Sequence, residues 1–175
     1  LAVLKLDPTD LPAIDDLISM YGEDNEVEKL VAQVMTKADL VSDGSERAAL
    51  LLWGGRLYAE TLGRDDDAIN AYNGVLEVDF QNMEAIVSLE RLYEKVEKWE
   101  ELVDVLGRKA DYSDGDVRVN ALKKKGLVQH ERMENTADAI ETFLQVMAIN
   151  PGDVDGLRTL DRLYGAAEDW WNLYS

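Results

Sequence analysis

The 175-residue chain has no cysteine, a single histidine (His130), three prolines, and only 18 Lys and Arg against 36 Asp and Glu. Without cysteine there is no disulfide framework and no thiolate metal site. One histidine excludes a multi-histidine metal centre. No apolar run approaches the roughly 18–20 residues that a bilayer span requires, so no membrane insertion is expected. The net charge of −18 argues against nucleic acid and anionic membrane as partners, because phosphate binding needs clustered Lys and Arg. An apolar fraction of 46% excludes a disordered acidic tail. The length suits one domain or one stretch of a repeat array.

What is there is an internal repeat. Sliding the chain by 71 residues pairs 42–104 with 113–175, and 18 of the 63 pairs are identical. The matches are grouped. Ser42-Asp43-Gly44 meets Ser113-Asp114-Gly115, Asp67-Ala68-Ile69 meets Asp138-Ala139-Ile140, and Leu89-x-Arg91-Leu92-Tyr93 meets Leu160-x-Arg162-Leu163-Tyr164. Trp99 meets Trp170, and Tyr72 meets Phe143. The N-terminal part carries the same unit at an offset of 72, where Ala13-Ile14 meets Ala85-Ile86 and Tyr21 meets Tyr93. The chain thus starts inside one unit, with Leu rather than Met, and stops inside another, as a fragment of a longer array or a processed product would.

Within the unit, apolar residues recur at three and four. Ile86, Leu89, Leu92, Tyr93 and Val96 form one stripe, and Ala68, Ile69, Tyr72, Val75 and Leu76 another. This is the amphipathic helix period. No segment alternates strictly in twos, so no strands are predicted. Breaks fall at Gly63-Arg64-Asp65 and Glu134-Asn135-Thr136, and again at Asp79–Asn82 and Asn150–Asp153. The pattern predicts helices near 10–22, 24–40, 45–62, 65–79, 83–96, 98–111, 116–133, 135–149, 153–166 and 168–175. Their short connections make neighbours antiparallel. The whole chain is one stretch of hairpins, at about 10–40, 45–79, 83–111, 116–149 and an incomplete 153–175, with 1–7 the tail of a preceding hairpin.

A hairpin every 34–36 residues resembles the tetratricopeptide repeat. The first-helix pattern of an apolar residue followed by Tyr reads Leu17 and Tyr21, Leu89 and Tyr93, Leu160 and Tyr164. A small residue opens the second helix at Ala68 and Ala139, with an aromatic four later at Tyr72 and Phe143. Proline closes a repeat at Asp7-Pro8 and Asn150-Pro151. The chain departs from the pattern at Phe80, which replaces that proline, and at Leu30, Leu102 and Leu173, which replace the small residue. Hairpins 45–79 and 116–149 carry one extra residue before their turn. The resemblance implies an all-α, right-handed superhelix, an α-solenoid of stacked antiparallel hairpins. It also implies a binding scaffold with a concave groove for a peptide or protein segment, and a style of repeat similar to bacterial arrays. Tyr93 and Trp99 are expected in the seam between hairpins. Trp170, Trp171 and Tyr174 are expected to make the C-terminal end adhesive, so that self-association through array ends is a further reading.

Catalytic signals are weak. There is no Cys–His pair, no nucleophile elbow and no phosphate loop, and Gly54-Gly55 lies within a helical stripe. No enzyme activity and no cofactor are expected of the chain itself; the rival reading is a docking segment of a larger enzyme, and a third is an architectural spacer. The run from Asp111 to Asp116 lacks the Glu that a calcium loop needs at its twelfth place, where Leu122 stands, and reads as a helix cap. Asp65-Asp66-Asp67 reads as negative charge at a helix start. His130 has no evident partner. The groove is the better candidate. Equivalent first-helix positions read Ser19, Arg56, Arg91, Leu127 and Arg162, with Lys123 and Lys124 nearby. Arg56, Arg91, Lys123, Lys124 and Arg162 would then form a basic strip receiving a carboxylate or acidic peptide, since Arg offers a bidentate fork. The competing reading pairs each cation with an acid of its own array, such as Glu60, Glu90 or Asp161. The strip does not match the family's clamp for chaperone C-termini, whose positions hold mixed residues here. Nothing in the sequence assigns a compartment.

Overall fold

The structure, a computed structural model, describes residues 7–173, with side chains through residue 167. Every regular element among the described residues is helical. In order they are α1 (Leu11–Glu23), α2 (Val27–Leu40), α3 (Gly44–Arg56) running into a π-helical turn (Leu57–Leu62), α4 (Asp65–Val78), α5 (Met83–Lys95), α6 (Trp99–Asp111), α7 (Gly115–Glu131), α8 (Thr136–Ile149) and α9 (Val154–Leu173). The chain divides after Leu92 into two compact units. In the first, α1 packs on α2, α2 on α3 and α3 on α4; in the second, α6 packs on α7, α7 on α8 and α8 on α9.

The apolar stripes become the cores. In the first unit Ile14, Val34, Ala38, Ala68 and Val75 are fully buried, and in the second Leu102, Leu106, Ala139, Val146 and Leu163 are. The turns repeat as faithfully as the stripes. Asn25 and Glu97, 72 apart, both take a left-handed φ near 55°. In the same two turns the N–H of Glu26 donates to the Tyr21 carbonyl and that of Lys98 to the Tyr93 carbonyl, each at 2.9 Å. Gly63 and Glu134, 71 apart, are left-handed as well. The extra residue of the two longer hairpins is absorbed there. The N–H of Arg64 reaches back to the Tyr58 carbonyl and that of Asn135 to the Gln129 carbonyl, both at 2.8 Å. In the first of these the wider loop opens a full π-helical turn.

Two glycines set how closely helices approach. A Cβ at Gly55 would lie 2.7 Å from the Tyr72 ring, and a Cβ at Gly126 would lie 2.7 Å from the Phe143 ring. Both pairs join a first helix to the second helix of the same hairpin, at the same place in the 71-residue unit. Tyr72 and Phe143 are each 1% exposed. Burial pushes the Tyr72 phenol up, opposed by a hydrogen bond with Ser88.

Several local expectations are corrected. The helices expected over 153–166 and 168–175 are one continuous α9. Ala166 and Ala167 favour helix, and no residue there adopts the left-handed turn that Glu97 makes. Trp99 is half-buried rather than in the core. It opens α6, and the Arg132 guanidinium from α7 lies 5.1 Å from its ring centre. Asp43 caps α3, accepting from the Glu46 N–H at 2.7 Å, whereas its mate Asp114 makes no such bond. The expectations for residues 1–6 and for Trp170, Trp171 and Tyr174 fall outside the described side chains.

Alanine in place of a free helical glycine stabilises by about 1 kcal/mol. Gly126→Ala is expected to do the opposite, losing about 1–3 kcal/mol through overpacking on Phe143, with Phe143→Leu in the same chain recovering part of it. Thermal melts of the three variants check this; a raised midpoint for Gly126→Ala would contradict the contact. In the same assay, Trp99→Ala should cost clearly less than Phe143→Ala, for which a buried aromatic sets about 3–5 kcal/mol.

Candidate binding surface

The five cations of the expected strip fall on both units: Arg56 and Arg91 on the first, Lys123, Lys124 and Arg162 on the second. Three of them are engaged within the fold. Arg56, at the end of α3, donates from Nε to Glu84 of α5 at 2.7 Å. Lys124 of α7 reaches Glu94 of α5 at 2.8 Å. Lys123 of α7 is half-buried and lies 2.9 Å from Oδ1 and 2.7 Å from Oδ2 of Asp153, the residue before α9. These acids lie 28–30 residues away in sequence, on the next or preceding first helix or just before it. An acid at that spacing is the signal that identifies them.

Arg91 and Arg162 differ. They occupy the same position in successive 71-residue units, both are exposed, and neither makes an ion pair or hydrogen bond with another described residue. Toward the described residues, each guanidinium keeps its full set of donors for an incoming acceptor.

The Lys123–Asp153 pair carries the clearest electrostatic signature. The hydrogen bond from Lys123 holds the Asp153 carboxyl below its usual value of 3.8, helped by the N–H groups of Gly156 and Asp155 and opposed by burial. Elsewhere, His130 has a partner after all: its Nδ1 lies 3.1 Å from the Thr136 hydroxyl at the start of α8. Sequence reasoning also missed a buried polar pair. The Thr142 hydroxyl donates to Gln129 Oε1 at 2.7 Å, joining α8 to α7. Asp65, Asp66 and Asp67 occupy the first turn of α4, where Arg64 Nε donates to Asp67 at 2.7 Å. Among the described residues no group of three or more His, Asp or Glu is placed to hold a metal ion, and no helix is long and apolar enough to cross a membrane.

A carboxylate whose value is lowered on folding adds stability at higher pH, and that contribution disappears as pH falls through the lowered value. Asp153→Asn should therefore lower the urea midpoint at pH 7, and the gap from wild type should close below about pH 4. A gap independent of pH would exclude the ion pair as its source.

Residues 85–118, from α5 through α6 into α7, match the family model for the tetratricopeptide repeat. A comparison with curated proteins gave no significant match. Among solved structures, MamA superposes with a TM-score of 0.53 at 19% identity, over 90% of this chain and 82% of that one. YrrB, a tetratricopeptide repeat protein with an unusual peptide-binding site, superposes with a TM-score of 0.52 at 18% identity, over 95% and 82%. A MamA RS-1 double mutant gives 0.53 at 16% identity, over 93% and 86%. The repeated hairpins, their matching turns and these likenesses lead to one fold, a stack of helical hairpins like that of tetratricopeptide repeat structures, with residues 85–118 matching that repeat's family model.

Proposed function

We propose that the chain is a scaffold, without catalytic activity of its own, that receives acidic peptide or protein segments, with Arg91 on the first unit and Arg162 on the second each accepting a carboxylate. The observation that supports this reading is the repetition of one exposed arginine, 71 residues apart, with no partner among the described residues. The other three cations are neutralised by Glu84, Glu94 and Asp153, and so serve the fold first. The proposed strip therefore narrows from five residues to two principal ones, with Arg56, Lys123 and Lys124 secondary. A guanidinium meets a carboxylate through two parallel hydrogen bonds, which gives geometric selectivity for Asp, Glu or a chain terminus. The helical-repeat fold and the repeat match over residues 85–118 support the scaffold reading, since stacked helical repeats present extended surfaces to other proteins.

A peptide-display selection on the whole chain tests it. Selected sequences should be enriched in Asp and Glu, and Arg91→Glu with Arg162→Glu should weaken them about tenfold, from two exposed ion pairs of roughly 0.5–1 kcal/mol each. Peptides without acidic bias, or equal binding by the double variant, would contradict the proposal.

A further inference from the structure

The first unit holds a second feature, on the other side of α3. A cleft of about 380 Å³ lies between α2, α3 with its π-helical end, and α4. Its floor includes Leu51 and Ala71, and its rim includes Asp39, Asn70 and Glu77. Arg47 and Tyr58 line it as well. Arg56 stands nine residues beyond Arg47 on the same helix. At about 100° per residue that is half a turn away, so the cleft opens opposite Arg56.

Three observations bear on what would enter it. The edge already seats a guanidinium: Arg64 lies 5.1 Å from the centre of the Tyr58 ring while bonding Asp67. Aromatic face and carboxylate together are the surroundings a cation prefers. Next, the Arg47 Nε–H is buried and has no acceptor among the described residues, an arrangement that a main-chain carbonyl would complete. Its repeat mate Arg118 is also unpaired at Nε, but the mates of Asn70 and Glu77 are Glu141 and Ala148, so the full set belongs to the first unit. Last, Asp39 and Glu77 are exposed and make no ion pair with a described residue, within a unit where nineteen Asp and Glu outnumber seven Lys and Arg.

We infer that this cleft binds an extended basic segment of a partner protein. A main-chain carbonyl of that segment accepts from Arg47 Nε, the Asn70 amide holds the neighbouring peptide unit, and Lys or Arg side chains reach Asp39 and Glu77. The apolar floor accommodates the aliphatic stems of those side chains. The scaffold then has two sites of opposite preference, one for acidic and one for basic sequence. The inference uses residues of the first unit alone and is independent of Arg91 and Arg162.

The test uses the whole chain and a labelled nonapeptide of alternating Gly and Arg, with a Gly–Glu twin as control, read by fluorescence anisotropy at physiological salt. The Arg peptide should bind, and Asp39→Asn with Glu77→Gln should weaken it about tenfold. Asp111→Asn with Glu141→Gln, which removes the same charge from the second unit, should change binding less than about twofold. All four are exposed positions, so folding is retained. Equal loss in both double variants would reduce the effect to general attraction by an acidic protein and overturn the inference. So would absence of binding, or equal binding of the Glu twin.

Discussion

The close approach of the two helices within a hairpin is the contact on which the rest depends. At Gly55 and Gly126 the first helix has no side chain, and the Tyr72 and Phe143 rings occupy that space. A helical glycine costs local stability relative to alanine, so its recurrence at one place in the unit points to the contact as the reason. Once the aromatic ring lies against bare backbone, the flanking stripes fall into register. Val75 and Val146 reach full burial one turn further along. The hairpin turns then repeat to within hydrogen-bond detail.

That repetition separates residues that build the fold from residues free to serve a surface. The buried set is common to successive units, whereas exposed positions are free to differ. Arg56 has Leu127 as its mate, Lys123 has Leu52, and Asn70 has Glu141. Against that variation, an exposed position that does not vary, such as Arg91 and Arg162, stands out. The charge distribution acquires a structural meaning as well. Three cations of the expected strip, Arg56, Lys124 and Lys123, link successive first helices or the turn before them, through Glu84, Glu94 and Asp153. The excess of acid gathers in the first unit, beside a cleft whose own Arg64 already demonstrates cation seating.

Much of the fold was legible in the sequence because helix stripes and turn breaks are local signals, and the 71-residue offset multiplied each by two. The extra residue before two turns was visible; its resolution as a π-helical turn was not, because it depends on which carbonyl the Arg64 N–H finds. The break expected between 166 and 168 is absent, and Ala166-Ala167 lie within the continuous α9. Trp99 was placed in a seam by its size and repetition, while its position at the first turn of α6 leaves one side to Arg132. The Gly126–Phe143 contact was also within reach, since Gly55 and Gly126 are identical at the repeat offset. The Gln129–Thr142 pair was not, because its mates Tyr58 and Ala71 carry no polar signal. For the five cations of the expected strip, the ion pairing of Arg56, Lys123 and Lys124 was not legible, since their partners lie on or beside other helices.

A helical-repeat chain that takes acidic segments at Arg91 and Arg162 and basic segments in the cleft of the first unit must respond at different residues to peptides of opposite charge. Backbone amide NMR of the whole chain, titrated in separate samples with the Gly–Glu and the Gly–Arg peptide, tests it most directly. Shifts are expected around Arg91 and Arg162 with the acidic peptide, and around Arg47, Tyr58 and Asn70 with the basic one. Shifts from both peptides at the same residues, or spread evenly over the chain, would contradict it.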